Sequence, residues 1–248
     1  EGPQGWSDAI ERFRTENPNV TVKVVDAGKS NYSDYFDMQS EELDVVMMDT
    51  IYSGTYASHL ADLNDYGGAT ASKQHFNAYI ESGLVNGRQV TLPAYGDIGL
   101  LYYRDDLLTK YGLSVPTTWT ELESAALTIQ NGERGEGNSD FWGFVWQGAQ
   151  TEALTCNALE WITSSGGGQF IESDGKISID NEDASAAIDR AASWINTISP
   201  SAVTSFGEGE TGNLWVEGNA AFARNWPYMH AFTTTSSQFP GSFKIANL

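Results

Sequence analysis

The run GLLYY at residues 99–103 restricts the fold more than any other part of the chain. It is apolar without a break and too short for a globular helix, which is the pattern of a strand buried on both faces. Before it stands LPAYGD, residues 92–97, in which Pro93 and Gly96 keep the backbone from continuing as an ordinary central strand. Tyr95 and Asp97 are therefore expected where a buried strand opens onto a cleft. After it, DDLLTKYG reads as a short helix that Gly112 closes in the left-handed conformation.

The flanking sequence alternates between helical and strand patterns. Trp6, Ile10 and Phe13 recur at helical spacing up to Asn17-Pro18, and Val20, Val22 and Val24 then alternate as a strand. Residues 26–42 are polar and tyrosine-bearing and take no assignment. Residues 43–48, LDVVMM, read as a parallel strand buried on both faces that delivers Asp49 at its carboxyl end. Ligands of open α/β sheets gather at that end, so Asp49 is a candidate contact, the alternative being a helix-capping aspartate. A short helix around residues 56–63 precedes another with Phe76, Tyr79, Ile80 and Leu84 on one face. Asn86-Gly87 then marks a hairpin turn.

Beyond Gly112 the pattern restarts. Thr118 and Glu121 form a capping box for a helix with Leu122, Ala126 and Ile129 inward, followed by a polar loop at 132–140. An aromatic strand at 141–147 ends in Trp146 and Gln147. Leu154, Ala158, Trp161 and Ile162 mark the next helix, Asp174-Gly175 a small hairpin, and Ile188, Ala191, Trp194 and Ile195 the inward side of a helix bounded by Pro200. Such alternation implies an α/β protein with largely parallel sheets, in two lobes joined through residues 92–104.

Charge excludes some partners. Thirteen Lys plus Arg against 33 Asp plus Glu give a formal net charge of −20, which disfavours nucleic acid and anionic lipid. The acidic excess is spread along the chain, the pattern of a solvated surface adapted to high salt. No apolar run approaches the ~20 residues of a membrane-spanning helix. The single cysteine, Cys156, stands among Leu154, Ala158 and Trp161 and is expected to be buried and inert. His59, His75 and His230 lack metal-ligand spacing, so neither a metal nor another cofactor is expected. GEGETG at residues 207–212 spells a dinucleotide glycine pattern, yet no strand precedes it and its glutamates would repel a pyrophosphate; it reads as a loop.

Three blocks carry a family resemblance. LPAYGDIGLLYYRDDLL (92–108), WGFVWQG (142–148) and GNAAFARNWPY (218–228) resemble the extracellular solute-binding proteins of sugar ABC importers, and within them the trehalose/maltose-binding branch. The similarity runs from about Trp6 to the end and corresponds to roughly the first three-fifths of a complete member. It lacks the strand that members carry before the first helix and their C-terminal helices. The resemblance implies a two-lobed periplasmic-binding-protein-like fold of type II, incomplete at both ends. Residues 1–96 would form part of the first lobe, 97–104 a crossover, 105–242 the second lobe and 243–248 the start of a second crossover.

A sugar offers hydroxyls at its rim and C–H groups on its faces, so its site needs carboxylates or amides together with aromatic rings. The resemblance implies such contacts from Asp49, Tyr95, Asp97 and Trp226, with Trp226 a stacking platform of the second lobe and Asp97 an acceptor of hydroxyl protons from the first. Trp146, Gln147 and Tyr228 are candidates by position, with hydrophobic core as the alternative for Trp146 and Tyr228. Gln4 corresponds loosely to a family acid. The function implied is capture of a trehalose- or maltose-type disaccharide in the inter-lobe cleft, without catalysis, and delivery to the permease of an ABC importer. The location would be extracellular or periplasmic, with the membrane reached through the transporter or a lost lipid anchor. The alternative is a glycoside hydrolase using Asp49 and Asp97 as paired carboxylates.

Overall fold

The computed structural model describes residues 3–25, 43–172 and 174–247, with the side chains of residues 3–5 left out. The unassigned segment 26–42 and the side chain of Gln4 therefore lie outside the described residues. The chain divides into two compact units, Glu1–Gly96 and Asp97–Leu248.

In the first unit, helix α1 (Pro3–Glu16) stops where Asn17 precedes Pro18, because the proline ring disfavours the helical conformation of the residue before it. The amide and side chain of Asn17 both donate to the Phe13 carbonyl, at 2.9 and 3.0 Å. Two expected strands do not form. Among the described residues, 20–25 have no strand partner, and residues 43–48 are extended with Val45 89% and Met47 55% exposed. A strand buried on both faces needs neighbours for its backbone groups and a layer on each side. Among the described residues of this unit the ladder is that of β1 (Leu84–Val85) with β2 (Arg88–Gln89), which supplies neither to them.

Between these segments lie short helical turns, α2 (Ser53–Tyr56), α3 (Gly68–Ala71) and α4 (Asn77–Ser82). Of the four residues expected on one face, Tyr79 and Ile80 lie on α4 and are partly buried, while Phe76 and Leu84 flank the helix and are exposed. The hairpin signal is realised, with Asn86 at φ 51° and Gly87 at φ 79°, the pair of left-handed residues that a type I′ turn requires. Arg88 ties the hairpin to the preceding turns by donating to the carbonyls of Ala57 (3.2 Å) and Leu60 (2.5 Å).

The second unit is built on a four-stranded sheet of order β4-β5-β3-β6. Its strands are β3 (Leu100–Arg104), β4 (Trp142–Val145), β5 (Ala220–Asn225) and β6 (Phe243–Ala246). The expected run of parallel pairs is corrected by β3. That strand is antiparallel to both β5 and β6, and only β4 with β5 is a parallel pair. Strands β4, β5 and β6 nonetheless share one direction, because helical crossovers connect them. β3, which precedes that series, slots between β5 and β6 in the opposite sense.

Helices cover both faces, which is why the strands read as continuous apolar runs. On one side Leu101, Tyr103, Phe144 and Phe222 pack with residues of α5 (Asp105–Lys110), α6 (Trp119–Gly135), α7 (Glu152–Ser164) and α8 (Glu182–Trp194). On the other, Tyr102, Val145 and Ala223 pack with Trp215 of α9 (Glu208–Val216) and Met229 of α10 (Tyr228–Ser236). Gly112, at φ 65°, closes α5 in a Schellman motif: Leu113 N–H donates to Leu108 O at 2.8 Å and Gly112 N–H to Thr109 O at 3.2 Å. Thr118 caps α6 as expected, accepting from Glu121 N–H at 3.2 Å, while the Glu121 carboxylate accepts from Thr117 N–H at 2.7 Å.

Five further expectations shift. Helix α6 runs into the segment expected as a loop. On α8 the inward stripe is Ala184, Ala187, Ala191 and Trp194, with Ile188 41% exposed. Cys156 is only partly buried. Around Asp174-Gly175 the turn closes, with Glu172 N–H donating to Lys176 O at 2.7 Å, but the flanking residues form no regular ladder. The 207–212 segment is likewise no loop. It begins α9, where Glu210 Oε2 accepts from Gly207 N–H at 2.9 Å and caps the helix.

Candidate functional site

Trp226 and Tyr228, two of the second unit's candidate residues, stand just beyond the carboxyl end of β5. This strand is buried throughout, yet it carries Arg224, whose side chain is 1% exposed. A guanidinium is tolerated in such a place only with its charge met and its donors used. Glu160 of α7 meets the charge with both carboxylate oxygens, Oε2 accepting from Nε at 3.0 Å and Oε1 from Nη2. Gln147 Oε1 accepts from Nη1 at 3.3 Å, and Gln147 Nε2 donates to the Arg224 carbonyl at 2.8 Å. Asn157 Nδ2 in turn donates to the Gln147 carbonyl at 2.8 Å. The pair needs space at the mouth of β3, and Gly99 provides it. A Cβ there would lie 2.7 Å from both Glu160 Cδ and Arg224 Nη2.

Above this network lies Trp226. The guanidinium carbon of Arg224 stacks 3.7 Å from the centroid of its ring, a cation–π contact at van der Waals distance. The indole N–H donates to Glu208 Oε1 at 3.3 Å, and the Trp226 carbonyl accepts from the Tyr102 hydroxyl at 2.9 Å. The ring is thus held at an edge, on a face and through its backbone, and it remains partly exposed. Tyr228 opens α10 beside it, partly buried, its hydroxyl 3.5 Å from the Glu208 carbonyl that accepts from it. Burial above all pushes the Tyr102 hydroxyl up to about 12; the His230 backbone N–H opposes this, while Tyr228 and the Asp97 carboxylate add to it. Asp97 itself is exposed and belongs to the second unit rather than the first.

Two candidates prove to be interior. Trp146 is 4% exposed, packs edge-to-face on Trp161 with centroids 5.0 Å apart, and donates its indole N–H to Ser199 Oγ at 3.2 Å. It is core, because β4 turns it towards the α7–α8 layer. Gln147 is fully buried and its amide is spent on Arg224 and Asn157, so it offers no surface to a ligand. Arg224, Glu160, Asn157 and Glu208 were missed. The signal for them was the single charge in the apolar run AAFARN, which demands a buried acid.

In the first unit, Asp49 is partly buried and extended (φ −69°, ψ 140°), just before a 3₁₀ turn at Thr50–Tyr52. Its carbonyl accepts from Tyr52 N–H at 3.1 Å, but its carboxylate does not cap the turn, which removes the capping alternative. Tyr95 is 58% exposed and lines a hollow of about 180 Å³ with His75, Phe76, Tyr79 and Pro93. Gly96 is required there by close approach: a Cβ would lie 2.6 Å from Tyr79 Cε1. Among the described residues, no three His, Cys, Asp or Glu side chains gather to hold a metal ion, and no helix is long and apolar enough to cross a membrane.

The mixed α/β fold is that of the two-lobed periplasmic solute-binding proteins. A maltose-bound MalE3 from T. maritima matches with a TM-score of 0.85 and 33% identity, over 98% of this chain and 63% of that one. The profile of the bacterial extracellular solute-binding protein family matches residues 1–246, and the chain belongs to that family. A probable ABC transporter-binding protein of Deinococcus radiodurans is 42% identical over 218 residues, 85% of this chain and 52% of the relative. The chain thus spans about half the length of that curated relative. The GacH receptor of Streptomyces glaucescens, solved with acarbose, shares the fold at a TM-score of 0.79 and 22% identity, over 98% of this chain and 62% of that one.

Proposed function

We propose that this chain is the ligand-capturing part of a saccharide-binding protein that serves an ABC importer outside the cytoplasm, and that its ligand is a glucose-containing disaccharide of the maltose or trehalose type. The observation that carries the reading is the Trp226 ring, fixed by Arg224, Glu208 and Tyr102 yet left partly exposed at the carboxyl end of a strand. A fixed, accessible indole is suited to covering the apolar face of a pyranose, because stacking then costs little side-chain entropy. Asp97 and Tyr228 of the same unit supply a carboxylate and a phenol for the sugar's hydroxyls. The maltose carried by the MalE3 neighbour supports the ligand class, and family membership supports transport in place of turnover.

The test is equilibrium binding of maltose and trehalose to the wild-type chain and to Trp226→Ala. The substitution should weaken binding roughly tenfold or more, as loss of a central aromatic anchor does. It should leave unfolding cooperative, since Trp226 is not in the core. Unchanged affinity in the variant would reject the assigned role.

A further inference from the structure

We propose that Arg224 is a positioning residue for Trp226, and that the network of buried Arg224, Gln147 and Asn157 with partly buried Glu160 and Gly99 serves to hold that ring in its binding orientation. The inference rests on the reading of Trp226 as the saccharide platform.

A charged residue in a fully buried strand is costly compared with an aliphatic one, even when paired, so stability alone does not account for it. The geometry gives it a second task. Four parts of the unit converge on one guanidinium: Gly99 just before β3 clears the space, Gln147 two residues beyond β4 and Glu160 on α7 bind its nitrogens, and β5 carries it. Asn157, one turn before Glu160 on α7, fixes Gln147 through its carbonyl. The planar fork is therefore locked in orientation before it meets the indole, and the indole takes its tilt from the fork 3.7 Å away. Glu208 sets the rotation about the ring's own plane by accepting from Nε1. A ring so constrained has already lost its alternative rotamers when ligand arrives. The Glu160 carboxylate also cancels the charge of Arg224, so the site presents an aromatic surface and not a cation.

The experiment uses two variants of the full chain. Arg224→Met keeps most of the volume and removes the fork; Glu160→Gln keeps the fork and removes the charge that orients it. Each is paired with its Trp226→Phe counterpart, so that the difference in emission isolates Trp226. Acrylamide quenching of that difference and the maltose dissociation constant are both read well below the unfolding transition. Arg224→Met should make Trp226 clearly more quenchable and raise the maltose constant roughly tenfold, with Glu160→Gln in the same direction but smaller. A purely structural role would lower the unfolding temperature while leaving both readouts unmoved, and that result overturns the proposal. If Trp226→Ala binds maltose as the wild type does, the platform reading fails, while quenching still decides whether Arg224 holds the ring.

Discussion

Replacing Gly99 with alanine tests whether the Arg224–Glu160 pair depends on the empty space at the mouth of β3. The added Cβ would lie 2.7 Å from Glu160 Cδ and from Arg224 Nη2, and closer still to Glu160 Oε1. Ordinary carbon contacts lie near ~3.5 Å, so the pair must give by most of an ångström. Arg224 is 1% exposed and cannot retreat; Glu160, at 23%, can swing partly towards water. Removing one partner of a buried pair costs about 3–5 kcal/mol, and a pair forced apart but still partly solvated should cost about 2–4. That is a large share of the ~5–15 kcal/mol that folds a typical domain. Urea unfolding of the full chain, followed by tryptophan emission, measures the loss. The decisive comparison is the cycle with Glu160→Ala. With the obstructing carboxylate gone, only the approach to Arg224 Nη2 remains, so Gly99→Ala should cost clearly less than it does in the wild type and the two losses should be sub-additive. Additive losses would refute the steric argument.

Tyr102 should make stability fall at alkaline pH. Its folded value, near 12, lies above its ordinary value of 10.0, so its contribution is complete below pH 10 and is lost as pH rises towards 12. Two units correspond to about 3 kcal/mol; Tyr102→Phe should flatten urea midpoints measured across that window, and an unchanged slope would count against it. Asp97→Asn should weaken disaccharide binding less than Asp97→Ala, because the amide still accepts one hydroxyl proton; equal losses in titration would mean that charge and not geometry is what Asp97 supplies. The net charge of −20 should make the unfolding midpoint rise from low to molar salt, and indifference to salt would reject an acidic surface adapted to screening.

The second unit was legible because its elements satisfy themselves. The GLLYY run became β3, Gly112 closed α5, and Thr118 capped α6, since each signal and its partner lie in the same unit. Residues 43–48 failed for the opposite reason: a fully buried strand is defined by neighbours, and hydropathy says nothing of whether they are present. Ile188 was assigned inward by hydrophobicity, yet helical phase placed small alanines against the core and turned it outward. In GEGETG the glutamates do argue against a pyrophosphate, but the same Glu210 also completes a helix cap, and that spacing was readable. At the site, exposed aromatics and acids were legible as residue types. The support beneath Trp226 was not, because Glu160 and Gln147 lie far from Arg224 in sequence and are joined only by folding.

Calorimetric titration of the purified chain in high salt with maltose, trehalose, sucrose and glucose, followed by chromatography of each sugar, tests the central claim most directly. Saturable heat with at least one disaccharide, recovered intact and lost in Trp226→Ala, is the predicted result. Binding of no saccharide, or cleavage of the sugar during the titration, would contradict it.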